Sequence, residues 1–102
     1  MSNSFSLDAG APHAATVVAR TQESPTIFTL KLRLDDAAAQ AAYRFAPGQF
    51  NMLYLYGVGE VPISIMSDPE EREGIGHTIR ALGRVTRGLA ALKPGDRVGL
   101  RG

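Results

Sequence analysis

The 102-residue chain contains no cysteine. That absence removes disulfide staples, thiolate zinc sites, cysteine-ligated iron-sulfur clusters and thiol nucleophiles from this stretch, so a redox role has to rest on a bound organic cofactor. Charge of either sign is not in excess: a formal net charge of +1 leaves too little field to hold DNA by bulk electrostatics. Long apolar runs are missing too, since the longest, around Met52 to Val58, falls far short of the roughly 20 residues a membrane helix needs. Met1 to Ala15 carries no Lys, no Arg and no apolar block, unlike a secretory signal. No G-x-S-x-G elbow and no G-x-x-x-x-G-K-[ST] loop occurs, which leaves hydrolase and P-loop chemistry without its minimum residues. His13 and His77 have no Cys and no second His at metal-ligand spacing, so no metal site is expected. These exclusions describe a cytoplasmic protein with a disordered leader over residues 1–12 and one ordered domain over 13–102.

What is present is β-periodicity. Phe28, Leu30, Leu32 and Leu34 alternate with Thr29, Lys31 and Arg33, which places four apolar side chains on one face of a strand. A β-rich run from Thr16 to Thr21 precedes it at hairpin spacing. Further runs extend over Phe50 to Tyr56, Val61 to Met66, Gly76 to Leu82 and Arg97 to Leu100, each bounded by Gly, Pro or Asp. Six short strands predict an all-β barrel or sandwich. Two segments interrupt the period. Asp35 to Ala42 reads as a helical turn or a solvated insertion. Thr86 to Lys93 begins with a residue suited to capping, places Leu89 and Leu92 at i and i+3, and stops at Pro94-Gly95, which predicts one short helix before the last strand. Glu70-Glu71-Arg72-Glu73 reads as a solvated loop.

Two places can carry chemistry. From His77 to Gly102 the basic residues Arg80, Arg84, Arg87, Lys93, Arg97 and Arg101 face one acid, Asp96. Three of those arginines flank the strand-to-helix junction Gly83-Arg84-Val85-Thr86, where unpaired N–H groups suit an anion of phosphate size; the competing reading is a set of solvated strand ends. Nucleic acid is disfavoured, because the basic segment offers no Phe, Tyr or Trp for bases to stack on. The second place is Val61-Pro62-Ile63-Ser64-Ile65. A proline inside an apolar run belongs at a sheet edge, and a Ser between two Ile points away from the face they share. Such an edge either meets solvent or offers its carbonyls, nearby N–H groups and the Ser64 hydroxyl to a flat heterocycle.

Phe45-Ala46-Pro47-Gly48-Gln49-Phe50, Val61-Pro62-Ile63-Ser64-Ile65, Gly83-Arg84-Val85-Thr86-Arg87-Gly88-Leu89 and Lys93-Pro94-Gly95-Asp96, in this order and spacing, resemble the flavin-binding domain of the ferredoxin-NADP reductase superfamily. Within it, Pro47 to Tyr54 followed by Gly57-Val58-Gly59-Glu60-Val61-Pro62-Ile63-Ser64 looks most like the gamma, diaphorase-type subunits of nickel-iron hydrogenases, with the electron-transfer subunit of dihydroorotate dehydrogenase a close relative.

The resemblance implies a six-stranded antiparallel Greek-key barrel with one short capping helix, binding FAD at its edge. Pro62, Ile63, Ser64 and Ile65 would lie along the isoalloxazine, with Ser64 near its central nitrogen. Arg80, Ala81 and Leu82 would continue the flavin-facing strand, and Gly83, Val85 and Thr86 would receive the pyrophosphate. Where many relatives carry Arg-x-Tyr-Ser, this chain has Val61 and Ile63, so one charge-assisted phosphate contact passes to Arg80 or Arg87. The implied function is a FAD module passing electrons between NAD(P)H and an iron-sulfur or hydrogenase-type partner. The nicotinamide-binding domain and iron-sulfur cysteines lie in a remainder absent from this chain, so turnover of NAD(P)H by the chain alone is not expected. The alternative is a cofactor-free barrel that docks protein or RNA.

Overall fold

The computed structural model describes residues 12–46, 48–67 and 73–102. The leader expected over 1–12 lies outside the described residues except for Pro12, and so do Glu70, Glu71 and Arg72 of the acidic loop. All six expected strands are present: β1 (His13–Gln22), β2 (Ile27–Leu34), β3 (Phe50–Leu55), β4 (Gly59–Ser64), β5 (Ile75–Arg80) and β6 (Arg97–Arg101). Asp35 to Ala42 resolves toward the helical alternative: α1 (Ala37–Ala42) is capped by the Asp36 carboxylate, which accepts from the N–H groups of Ala38 and Ala39. The helix expected over Thr86 to Lys93 is α2 (Arg84–Ala90).

The strands form one antiparallel sheet in the order β4-β3-β6-β1-β2-β5. Sequence-distant neighbours interleave, as in a Greek key. The two end strands then meet: Ile65 bridges His77, and the Met66 N–H donates to the Gly76 carbonyl at 2.8 Å. The result is a nearly closed barrel with a partial seam between β4 and β5. Its lining comes from the period-two face of each strand, with Val17, Phe28, Leu30, Leu32, Leu53, Ile75, Ile79, Val98 and Leu100 all buried. Burying each such side chain contributes about 2 kcal/mol. Leu89 of α2 is buried with them and joins the same core. Among the described residues no helix is long and apolar enough to cross a membrane.

A polar staple sits inside this apolar lining, next to the seam. Asn51 and His77 have no exposed surface, and Tyr43 is buried beside them. The Ile75 carbonyl can only accept, so its contact with His77 Nδ1 at 3.2 Å makes that nitrogen the protonated one. His77 Nε2 is then an acceptor, and Asn51 Nδ2 donates to it at 3.3 Å and to the Tyr43 hydroxyl at 3.1 Å. Burial holds the ring neutral, lowering the His77 pKa to about 4 against a small opposing contribution from the Ile75 carbonyl. Burial also raises the Tyr43 phenol, an effect tempered by its bond to Asn51. His77 is thus a structural histidine.

Candidate functional site

The strand register decides what β4 shows to the seam. Ile65 N–H donates to the Gln49 carbonyl at 2.9 Å, and β3 pairs with β4 in the same frame, Asn51 opposite Ile63 and Leu53 opposite Val61. Odd-numbered residues therefore spend their backbone groups on β3, while those of Glu60 and Pro62 and the N–H of Ser64 face the other way. Pro62, which has no N–H to give, lies on this outer edge, as the sequence anticipates. The side chains alternate with the same period. Pro62 and Ser64 are exposed, whereas Val61 and Ile63 pack against the core and Ile65 is buried within it. Of the four residues expected along a ring, the structure turns Pro62 and Ser64 outward and Ile63 and Ile65 inward.

Across the gap, β5 ends at Arg80 and the chain turns into α2. Ala81 stays tied to the sheet through its N–H to the Thr26 carbonyl at 2.8 Å, with its methyl packed on the core, whereas Leu82 stands 68% exposed. Thr86 is the third residue of α2 rather than its cap, which is Gly83. Its hydroxyl reaches backward, accepting the N–H of Gly83 at 2.9 Å and of Leu82 at 3.1 Å and donating to the Gly83 carbonyl at 3.2 Å. Those three bonds use the hydroxyl, so Thr86 shapes the turn and does not offer its oxygen outward. Gly83 brings no side chain to the first-turn N–H groups of α2. A β-carbon there would meet nothing closer than Thr86 Oγ1 at 4.0 Å.

Here β4 and the β5–α2 turn enclose a cleft of about 430 Å³. One wall is Glu60 and Val61, the other Arg80 and Leu82, and the floor is Gly83 to Thr86. The cleft thus gathers Arg80, Leu82, Gly83, Val85 and Thr86 of the expected site residues, and it adds Glu60, Val61 and Arg84. Neither Arg80, Arg84 nor Arg87 has a carboxylate partner among the described residues. Glu60 does: Arg101, reaching from β6, grips both its oxygens, Nε donating to Oε2 at 2.9 Å. That grip holds the Glu60 carboxyl below its ordinary pKa and neutralises the one acid that lines the cleft among the described residues. The sequence gives no local signal for this pair, which is 41 residues apart in the chain. The net result is a concave, uncapped, cationic pocket continuous with an apolar strand edge. Ser64 stands about 13 Å along that edge from Glu60, which suits an elongated ligand with an anionic part better than a small anion.

No family model matches the chain. Among curated proteins it is 47% identical over 70 residues to the gamma subunit of sulfhydrogenase 1 from Pyrococcus furiosus, a match covering 69% of this chain and 24% of that protein. It is 36% identical over 91 residues to a probable dihydroorotate dehydrogenase B (NAD(+)) electron transfer subunit from Methanocella arvoryzae, covering 89% of this chain and 31% of the relative. Among solved structures, ferredoxin NADP+ reductase from Neisseria gonorrhoeae, determined with bound FAD and NADP, superposes with a TM-score of 0.71 over 86% of this chain and 35% of that one, at 19% identity. The chain is thus similar in sequence to hydrogenase gamma and dihydroorotate dehydrogenase electron transfer subunits, and it shares its fold with ferredoxin NADP+ reductase. It spans about a quarter to a third of the length of the curated relatives it matches.

Proposed function

We propose that this barrel binds FAD and serves as the flavin module of a cytoplasmic oxidoreductase. The observation that carries the reading is the cleft itself: guanidinium groups with no carboxylate partner among the described residues and a glycine-floored turn at one end, a strand edge with outward polar groups at the other. The residues fit a dinucleotide. Pro62 and Ser64 would flank the ring system along β4, with Ile63 and Ile65 bracing that strand from inside the barrel. Arg80 and Arg84 would meet the pyrophosphate, and the N–H groups of Arg84 to Thr86 would approach it closely because Gly83 has no side chain. Since α2 has only seven residues, its dipole adds little beyond these local donors. Val61 packs inward, so the phosphate charge falls to the two arginines of the turn. Bound there, the flavin would supply two-electron exchange with a nicotinamide and one-electron exchange with an iron-sulfur centre. This chain would bind it, orient it and shield one edge from water. The nicotinamide domain and the hydrogenase- or dehydrogenase-type catalytic subunits would belong to the longer protein and its complex.

Titrating the 102-residue chain with FAD, FMN and riboflavin, read by flavin fluorescence, tests this. Saturable binding with FAD favoured over riboflavin by about tenfold or more is expected, because only FAD brings a pyrophosphate to the arginines. Equal affinity for all three would remove the pyrophosphate from the cleft, and no binding would leave a cofactor-free docking barrel. A second expectation concerns Glu60. Arg101→Gln exposes an unneutralised carboxylate to the cleft and should weaken FAD about fivefold, the scale of one screened surface charge interaction. Glu60→Gln in the same chain should restore the affinity; a double variant as weak as the single one would mean that Arg101 acts otherwise.

A further inference from the structure

We infer that Arg20, on β1 and outside the lining of the cleft, is a positioning residue for the site. This rests on the FAD reading above. A helix of seven residues spans only about 10 Å, so whatever fixes its last turn also fixes its first. The seating of α2 has few parts. Leu89 is buried, Val85 lies against Gly59, and Gly88 lies so close to Leu55 that a β-carbon would overlap Leu55 Cδ2.

At the C-terminal end, the carbonyls of Gly88 and Leu89 are taken by the N–H groups of Ala91 at 3.2 Å and Leu92 at 3.1 Å. The Ala90 carbonyl is taken by Arg20, whose Nε donates at 3.1 Å and Nη2 at 2.9 Å. This contact ties β1 to α2 across 70 residues of chain. The guanidinium has little freedom in making it. Its carbon lies 5.1 Å from the centroid of the buried Phe28 ring, and Gln22 Oε1 accepts from Nη2 at 2.8 Å. A planar fork stacked on a ring and closed on one carbonyl is a geometry that lysine cannot reproduce. It also sets a cation at the helix C-terminus, the favourable sign for that end. Arg20 touches neither Gly83 nor the arginines of the cleft, so its effect reaches them through the position of α2.

The test compares Arg20→Met and Arg20→Lys with the parent 102-residue chain, measuring FAD and riboflavin affinities together with urea unfolding. In Arg20→Met, FAD is expected to weaken about tenfold while riboflavin stays within about twofold, with Arg20→Lys intermediate, because only the phosphate end of the ligand rests on α2. Equal weakening of both flavins, or unchanged FAD affinity, would overturn the inference, since a purely structural Arg20 would lower stability without separating the two ligands. If the parent itself binds no FAD, the proposed function fails. The position of α2 is then read from the amide resonances of Leu82 to Thr86. Movement of those resonances in Arg20→Met supports the tie, and unmoved resonances sink it.

Discussion

Lowering the pH from 7 to 4 is expected to strip about 3 kcal/mol from the stability of the barrel through His77 alone. The folded ring has a pKa of about 4 because it is buried, whereas the unfolded chain returns it to the ordinary 6.5. Between those values the unfolded state binds the proton and the folded state does not, so stability falls as the pH drops through that window. Above 6.5 the ring is neutral in both states, and below about 4 it is charged in both, so the loss from this group levels off. Protonation would place a second N–H where Asn51 already donates, at the level of the seam where Ile65 meets His77. Urea unfolding at several pH values, on the parent and on His77→Gln, checks this. The variant begins less stable at pH 7 by about 1 to 3 kcal/mol, since Asn51 loses its acceptor geometry. Its profile between pH 6.5 and 4 should be markedly flatter than the parent's. Parallel profiles would show that carboxylates, not His77, govern acid sensitivity.

Much of this fold follows from local pattern. The alternation of Phe28, Leu30, Leu32 and Leu34 gives β2 its buried face directly, and all four are buried. Pro62 at an edge and Ser64 pointing away from its isoleucine neighbours follow from the same period of two, as does the inward turn of Ile63 and Ile65. The junction at Gly83 to Thr86 is legible as a strand end entering a helix. Its first residue is not, because Thr is favoured both as a cap and as a partner reaching back to one, and only the backbone path of Leu82 and Gly83 selects the second role.

Long-range pairings leave no such trace. Glu60 meets Arg101 only because the Greek key sets β6 beside β3, and β3 beside β4. Tyr43, Asn51 and His77 converge only because the barrel closes on itself at Ile65. A lone histidine in a strand reads as either structural or exposed, and nothing local says which amide satisfies it. Arg20 is the extreme case: its sequence neighbours describe an exposed strand residue, while its guanidinium works on a carbonyl of α2. The scaffold was therefore readable from periodicity, and the groups that adjust the site were hidden in topology.

Gly83→Asp should separate stability from binding more sharply than any other single change here. The folded chain has room for the new side chain. Gly83 has φ −127 and ψ −174, extended backbone that any residue adopts, and the nearest atom to a β-carbon is 4.0 Å away. Aspartate is also a preferred helix cap, so its carboxylate would take the first-turn N–H groups that glycine leaves open and raise stability by a few tenths of a kcal/mol. Those same donors are the ones proposed for the pyrophosphate, and the new charge would stand in the cleft between Arg80 and Arg84. At the effective dielectric of a protein surface, one like charge about 5 Å from the ligand costs about 3 kcal/mol, a loss of about a hundredfold in FAD affinity. Riboflavin, with no phosphate, should bind within about twofold of the parent. Gly83→Asn fills the same space and caps the same helix without charge, so it should fall between the two for FAD. The measurement is a paired titration with FAD and riboflavin beside a thermal melt. A Gly83→Asp chain that melts no lower than the parent yet loses FAD alone would place the pyrophosphate at this turn. Loss of both flavins, or of neither, would move it elsewhere on the barrel.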